Sequence, residues 1–325
     1  MHTHGRGGYD FNTAPEEKYD EIARLYARTG ATAIMPTLAS APFPSFEKSV
    51  AAICRRRNIP GAAAFAGVHL EGRYLSPAKR GAHALELLAS PSEDELRRLK
   101  ILAGDGRMRL SMAPELAGAD SMIRTALELG VTVTAAHTDA NYKELMHAIS
   151  AGVTGFTHAF NAMRPIHHRD PGGAGAALLC DGAYAEFICD GEHIAPEIIL
   201  LSHRVKPADK LVLITDSMEA AGCPDGEYSI AGLPVTVKGG RALNSEGALA
   251  GSTLELFTAL KNYMKFCSVT LEEALPRATV NPAKMIGADN EFGSIASGRR
   301  ADFIVLDHTS DPVVGAVYAG GAEVD

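Results

Sequence analysis

Short apolar runs recur along the chain at the spacing of strand–helix units, and several of them close on a histidine or a carboxylate. Seven such runs cover residues 31–37 (ATAIMPT), 65–72 (FAGVHLEG), 107–115 (RMRLSMAPE), 131–137 (VTVTAAH), 152–158 (GVTGFTH), 183–190 (AYAEFICD) and 211–216 (LVLITD). Amphipathic stretches separate them. One follows the turn at Asn12-Thr13 and ends at Gly30; others cover 92–104, with a Ser/Glu capping box at its start, 119–130 and 141–152. Buried strands alternating with helices imply parallel β/α units. With the opening MHTH counted as a strand there are eight, which predicts an α/β chain built as a (β/α)8 TIM-type barrel with its active site at the C-terminal strand ends. An open, doubly wound sheet is the competing architecture.

The residues that finish these runs suggest the chemistry. His69 and Glu71 end one strand, and His137, His158, Asp190 and Asp216 end others, with His193 just beyond Asp190. In the opening strand His2 and His4 share a face and Thr3 takes the other, because side chains alternate. Imidazoles and carboxylates held on rigid strand ends suit Zn²⁺ or Fe²⁺. A lone histidine after a strand is more often a loop or core residue, and a terminal Asp is often a helix N-cap; it is the constellation that points to a metal. His69 is placed in or beside the centre, whereas His147, His203 and His308 read as structural.

Beyond residue 226 the texture changes. Residues 227–251 read as β-hairpins with Gly turns, helices follow to about 286, and 293–307 and 314–325 read as antiparallel strands. The expected division is a barrel over 1–291 and a C-terminal β segment over 292–325, a remnant of a small β-sandwich domain.

Composition excludes several classes. The net charge is -8, and the closest approach to a basic tract, Arg55-Arg56-Arg57, reads as a solvated helix face, which argues against nucleic acid. Five scattered cysteines fit a reduced cytoplasmic protein; Cys180 and Cys189 read as buried residues around one element. No signal peptide and no membrane-spanning apolar run is present.

Seven segments, in order, carry a family likeness: HLEG (69–72), AHTDA (136–140), THAFNAM (157–163), RDPGGAGA (169–176), CDGEHI (189–194), TDSMEAAG (215–222) and LAGSTL (249–254). Together they strongly resemble the N-acetylglucosamine-6-phosphate deacetylases of the amidohydrolase superfamily. The resemblance implies Glu71, His137 and His158 as metal ligands, Asp216 as the catalytic carboxylate, and His193 as a substrate-binding and catalytic histidine. It implies substrate contacts from Ala82, His83, Asn161, Ala162, Asp190, Leu249, Ala250 and Gly251. Arg169 is expected on the substrate phosphate, reaching it from the neighbouring subunit of a homodimer. The retained His-x-His implies a place for a second metal at His2 and His4, bridged by Glu71. The ion is expected to be Zn²⁺, with Fe²⁺ as the alternative, one per chain or two.

The residue types suit that chemistry independently. A metal acidifies water and polarises an amide carbonyl, Asp216 can carry the proton, His193 can donate to an oxyanion and an arginine fork suits phosphate. Departures from the pattern are Ala136 where Gly is usual and Arg73 where proline is usual. The resemblance also implies an apolar strand and a small β domain ahead of the first barrel motif, so the domain at 292–325 is expected to be incomplete and the chain to lack the usual N-terminal segment. Three other readings are the galactosamine epimer as substrate, a cyclic-amide hydrolase with a carboxylated lysine, and a non-catalytic sugar-phosphate-binding barrel. Glu71 at the bridging position argues against the second; intact Asp216, His137 and His158 argue against the third.

Overall fold

A computed structural model describes residues 1–56, 59–307 and 311–325. Arg57 of the basic cluster and His308 lie outside the described residues. The central sheet has seven parallel strands: β1 (Thr37–Ala39), β2 (Val68–Glu71), β3 (Met108–Met112), β4 (Thr132–Ala135), β5 (Gly155–Phe156), β6 (Tyr184–Ile188) and β7 (Leu211–Ile214). Each pairs with its sequence neighbour, in registers such as Leu70↔Leu110 and Phe187↔Leu213. The sheet curls, and the opening segment fills the remaining gap. Thr3 bridges in parallel to Pro36 beside β1 and to Ser217 beyond β7. Thr37 N donates to Thr3 O at 2.7 Å, His4 N to Ser217 O at 2.7 Å and Asp216 N to His2 O at 3.1 Å. The barrel is therefore closed by MHTH, as the eight-strand reading requires.

Helices α1 (Tyr19–Ala27), α2 (Phe43–Arg55), α3 (Glu93–Ala103), α4 (Ala119–Glu128), α5 (Tyr142–Ala151), α6 (Gly172–Leu179), α7 (Pro196–Val205) and α8 (Leu256–Cys267) follow the strands. Helix α5 opens with a full capping box between Asn141 and Glu144. At α3 only half of the expected box forms. Ser92 accepts from Glu95 N, but the Glu95 carboxylate turns to Tyr74 and Arg73 instead. The basic cluster also differs from expectation: Arg55 is exposed, but Arg56 folds back onto Glu16 and Asp20. Runs 31–37 and 65–72 each break in two, because Ala33–Ile34 and Ala64–Phe65 pair separately, below the main sheet.

Two three-stranded antiparallel sheets flank the barrel, besides the short pair Gly5–Arg6 with Tyr9–Asp10. One comprises β8 (Gly226–Ile230), β9 (Leu233–Lys238) and β10 (Arg241–Asn244); the other comprises β11 (Phe303–Leu306), β12 (Val314–Ala319) and β13 (Ala322–Glu323). The short helices Leu271–Ala274 and Val280–Met285 precede the second sheet. The apolar core lies between the barrel wall and the helices, with Phe156, Ile53 and Leu145 fully enclosed. Cys180, at the C-terminal end of α6, and Cys189, directly after β6, are buried, and all five cysteines are free. Among the described residues no helix is long and apolar enough to cross a membrane.

Candidate active site

The alternation read from MHTH places two imidazoles inside the barrel and one hydroxyl outside. Thr3 Oγ1 meets Ser217 Oγ at 2.9 Å and the Tyr26 hydroxyl of α1, while His2 and His4 are buried toward the barrel axis. Tyr26 also donates to Gly5 O at 2.6 Å. The segment is thus pinned on both sides and from behind.

Glu71, at the end of β2, stands between two groups of ligand atoms. Its Oε2 lies 3.2 Å from His2 Nε2 and 3.0 Å from His4 Nε2. Asp216 Oδ1 lies 3.1 and 3.2 Å from the same two nitrogens, which are 3.2 Å apart. These are five of the six edges of a tetrahedron. A regular tetrahedron has a corner-to-centre distance of about 0.61 of its edge, which gives roughly 1.9–2.0 Å here, close to zinc–nitrogen and zinc–oxygen bond lengths. The other oxygen, Oε1, lies 2.8 Å from His158 Nε2 and 3.4 Å from His137 Nε2, with those nitrogens 3.1 Å apart. That is a three-ligand face with its fourth side open, the arrangement of a catalytic metal. Among the described residues, His2 Nδ1, His4 Nδ1, His158 Nδ1 and Asp216 Oδ1 are buried without a hydrogen-bond partner. Imidazole nitrogens crowded nose to nose around carboxylates fit a divalent cation in both places.

The electrostatics agree. Burial opposes charge on His2, His4, Glu71 and Asp216, but the two carboxylates outweigh it at the two histidines. His2 is held well above the ordinary imidazole value and His4 is raised to about 9. For Glu71 and Asp216 burial is likewise outweighed, chiefly by His2, so both stay well below the usual carboxylate range. The centre demands positive charge, and the two imidazoles supply it when nothing else does.

Backbone geometry brings these side chains inward. His137, His158 and Asp216 have φ values of 43°, 32° and 51°, left-handed for non-glycine residues; strain of this kind collects at functional sites. His137 Nδ1 donates to Lys79 O at 2.9 Å, so its Nε2 lone pair faces Glu71. Gly72 follows Glu71 at φ 140°, where a Cβ would lie 2.2 Å from Ser40 Oγ. Its absence lets the Ser40 loop close in, and Ser40 N donates to His83 Nδ1 at 3.2 Å.

Above the centre opens a cavity of about 360 Å³. Ala82, His83, Asn161, Ala162, His193, Leu249 and Gly251 line it together with His4, Glu71, His137, His158 and Asp216. His83 is kept neutral, pushed down to about 3 by burial and by His137. With Nδ1 accepting from Ser40, its Nε2 carries hydrogen and is a donor rather than a metal ligand. His193 Nδ1 bonds Asp190 Oδ2 at 2.6 Å; burial lowers its affinity for a proton, but Asp190 reverses this and raises it.

Other sequence-derived residues fall elsewhere. The other oxygen of Asp190 accepts from Glu192 N and His193 N, so this side chain stands behind His193 rather than on the cavity. Ala250 is buried under the lining against Met218 and Val235. Arg169 is exposed, and among the described residues its guanidinium makes no ion pair. His69 lies below the centre, bonded to Ser111 Oγ at 2.7 Å and Thr37 Oγ1 at 3.2 Å. His147 pairs with Asp120 on the surface and His203 with the Tyr263 hydroxyl. Arg73 adopts φ 65° and reaches Ala41 O and Glu95.

Three features had no readable signal in the sequence. Ser40 reaches the cavity from the loop after β1, and the β8–β9 hairpin tip brings Ile230, Ala231 and Leu233 over it. That tip is tied down by Asp10, whose Oδ2 accepts from Ala231 N at 3.0 Å. In the barrel interior, Arg109 and Glu186 form a wholly buried ion pair.

The amidohydrolase family matches residues 1–324. The chain is 34% identical over 307 residues to an N-acetylglucosamine-6-phosphate deacetylase of Vibrio furnissii, covering 94% of this chain and 76% of that protein. It is 36% identical over 308 residues to an N-acetylgalactosamine-6-phosphate deacetylase of Escherichia coli O157:H7, covering 94% and 81%. A solved structure of a variant of the Mycobacterium smegmatis N-acetyl-D-glucosamine-6-phosphate deacetylase, in complex with N-acetyl-D-glucosamine-6-phosphate, superposes with a TM-score of 0.93 at 34% identity, over 100% of this chain and 85% of that one. The Thermotoga maritima enzyme of the same name superposes at 0.90, with 33% identity and coverage of 100% and 86%. A closed barrel with histidines and carboxylates converging at its mouth, matched along nearly its whole length, makes this chain a member of the amidohydrolase family.

Proposed function

We propose that this chain is a divalent-metal-dependent deacetylase that hydrolyses the acetamide of N-acetylglucosamine 6-phosphate, giving glucosamine 6-phosphate and acetate. The observation that carries this reading is Glu71, buried between two imidazole pairs at the floor of a sugar-sized cavity. The substrate class comes from relatives at 34–36% identity that are named as amino-sugar 6-phosphate deacetylases.

Glu71, His137 and His158 would hold one cation, and His2, His4, Asp216 and the second Glu71 oxygen another, with Zn²⁺ favoured and Fe²⁺ the alternative. A bound cation supplies Lewis acidity, lowering the pKa of water and polarising the amide carbonyl. Asp216, held ionised, takes the proton of the attacking water and hands it to the departing amine nitrogen as the C–N bond breaks. His193, braced by Asp190, donates to the carbonyl oxygen as negative charge develops on it. His83 and Asn161 offer hydrogen-bond donors to the sugar, and Ala82, Ala162, Leu249 and Gly251 shape its pocket.

The phosphate is assigned to Arg169 of a neighbouring subunit in a homodimer. Among the described residues lining the cavity, Lys79 is the only Lys or Arg, so a dianion there lacks a matching cationic fork, whereas Arg169 is exposed without an ion pair. We place the reaction in the cytoplasm, consistent with five free cysteines.

The deciding assay is acetate release from both N-acetylhexosamine 6-phosphates, with Zn²⁺ or Fe²⁺ added, by wild type and Asp216→Asn. Turnover of the glucosamine epimer that collapses in Asp216→Asn supports the reading. Preference for the galactosamine epimer would shift the substrate to the one named in the E. coli relative. Folded protein that releases acetate from neither would refute deacetylation. Unphosphorylated N-acetylglucosamine turned over equally well would remove the phosphate assignment.

A further inference from the structure

The Arg109–Glu186 pair has no part in the chemistry above. Arg109 on β3 and Glu186 on β6 are both wholly enclosed inside the barrel. Enclosing two charges is costly, and apolar side chains of similar volume often serve a core equally well or better. The geometry shows what the pair offers instead. Arg109 holds one Glu186 oxygen, Oε1, and is itself fixed by the Thr157 hydroxyl at 2.7 Å and the Thr134 hydroxyl at 3.2–3.3 Å. The other oxygen, Oε2, is buried and has no hydrogen-bond partner among the described residues. It lies 3.9 Å from Nδ1 of His2, and that nitrogen is also buried without a partner.

For His2 to present the Nε2 lone pair to a cation, Nδ1 must carry the ring hydrogen. Glu186 Oε2 is the unpartnered acceptor that faces it, and a side-chain shift of about 1 Å brings the two into hydrogen-bond range. We propose that Glu186 is a positioning residue for His2: Arg109 clamps its carboxylate so that the free oxygen accepts a hydrogen bond from Nδ1–H and turns Nε2 into the Glu71–Asp216 corner. His137 shows the same bracing by a backbone carbonyl, Lys79 O, whereas Nδ1 of His4 and of His158 has no partner among the described residues. Each half of the centre then has one braced imidazole and one that follows its neighbours. The inference rests on the metal-centre reading given above.

The test reads metal binding rather than turnover. Metal-free protein is titrated with Zn²⁺ against a chromophoric chelator and with Co²⁺, whose visible absorption reports coordination. Two variants are compared with wild type: Glu186→Gln, and the double variant Arg109→Met with Glu186→Met. In the first, Arg109 draws the amide oxygen and leaves an NH₂ facing the Nδ1 hydrogen. In the second, the buried charges vanish together, so the fold is retained and the acceptor is lost. Both should lose 10- to 100-fold in affinity at one of two sites, the scale of lost outer hydrogen bonds at metal ligands, with an altered Co²⁺ spectrum and the other site unchanged. Because Glu186→Gln leaves Arg109 uncompensated, the double variant carries the decision. A folded double variant with wild-type affinities and spectrum overturns the positioning role and leaves the deacetylase reading untouched. Wild type that binds neither ion overturns the metal reading, and this inference with it.

Discussion

Metal binding at the His2–His4 corner must expel protons, and the number follows from the electrostatics. Without a cation, His4 is raised to about 9 and His2 stands well above the ordinary imidazole value. At pH 7 a group with a pKa of about 9 is roughly 99% protonated. Each imidazole must lose its proton to offer Nε2, so binding at pH 7 releases about two protons from this pair. Affinity then climbs steeply with pH through neutrality, and less steeply once His4 gives up its proton near pH 9. Calorimetric titration of Zn²⁺ in two buffers of different ionisation enthalpy counts the protons directly, and His4→Gln should lower the count by about one. The metal-free fold shows the converse. A raised histidine stabilises it fully below the ordinary value of 6.5, and that contribution, about 3 kcal/mol for His4, is lost as pH rises through about 9. Metal-free protein should therefore unfold more easily at pH 9 than at pH 6.5. Near-zero proton release at pH 7 would refute the claim that the two carboxylates hold these rings charged.

Three further outcomes follow from particular contacts. His193→Asn should lower kcat for acetate release by about 10²–10³-fold while leaving metal stoichiometry unchanged, if His193 donates to the developing oxyanion; an unchanged kcat removes that role. Tyr26→Phe deletes the hydroxyl that holds Gly5 O and Ser217 Oγ behind the opening segment, and should cost about 1–3 kcal/mol in urea unfolding, with weaker metal binding at His2 and His4 only. Phe156→Ala, at a fully buried position, should cost about 3–5 kcal/mol by the same measurement without altering cavity chemistry.

Most of the barrel was legible because its strands are buried on both faces and its helices are amphipathic, two patterns that differ plainly along the chain. His2, Thr3 and His4 show how far alternation carries: the period of two put both imidazoles on one face before any partner was known, and closure of the barrel turns that face inward. What could not be read depends on contacts between distant segments. Nothing local distinguishes Glu186, inside the run AYAEFICD, from a strand residue facing water; only closure of the barrel sets Arg109 against it. The Ser92 cap was half right because Tyr74 and Arg73, distant in sequence, compete for Glu95. Asp190 looked like a cavity residue because it ends a strand, yet its carboxylate is consumed by the turn that carries His193.

The residues that close the barrel are also those that complete the cage. Thr3 joins the first and last strands of the sheet, and the imidazoles on either side of it meet Glu71 and Asp216. A cation seated there acts as a clasp on the seam: the seam cannot part without giving up two of its ligands. Local opening of this edge should therefore be slower in the loaded protein than in the metal-free one. Hydrogen exchange at the amides of His4 and Thr37, which cross the seam, would read that slowing.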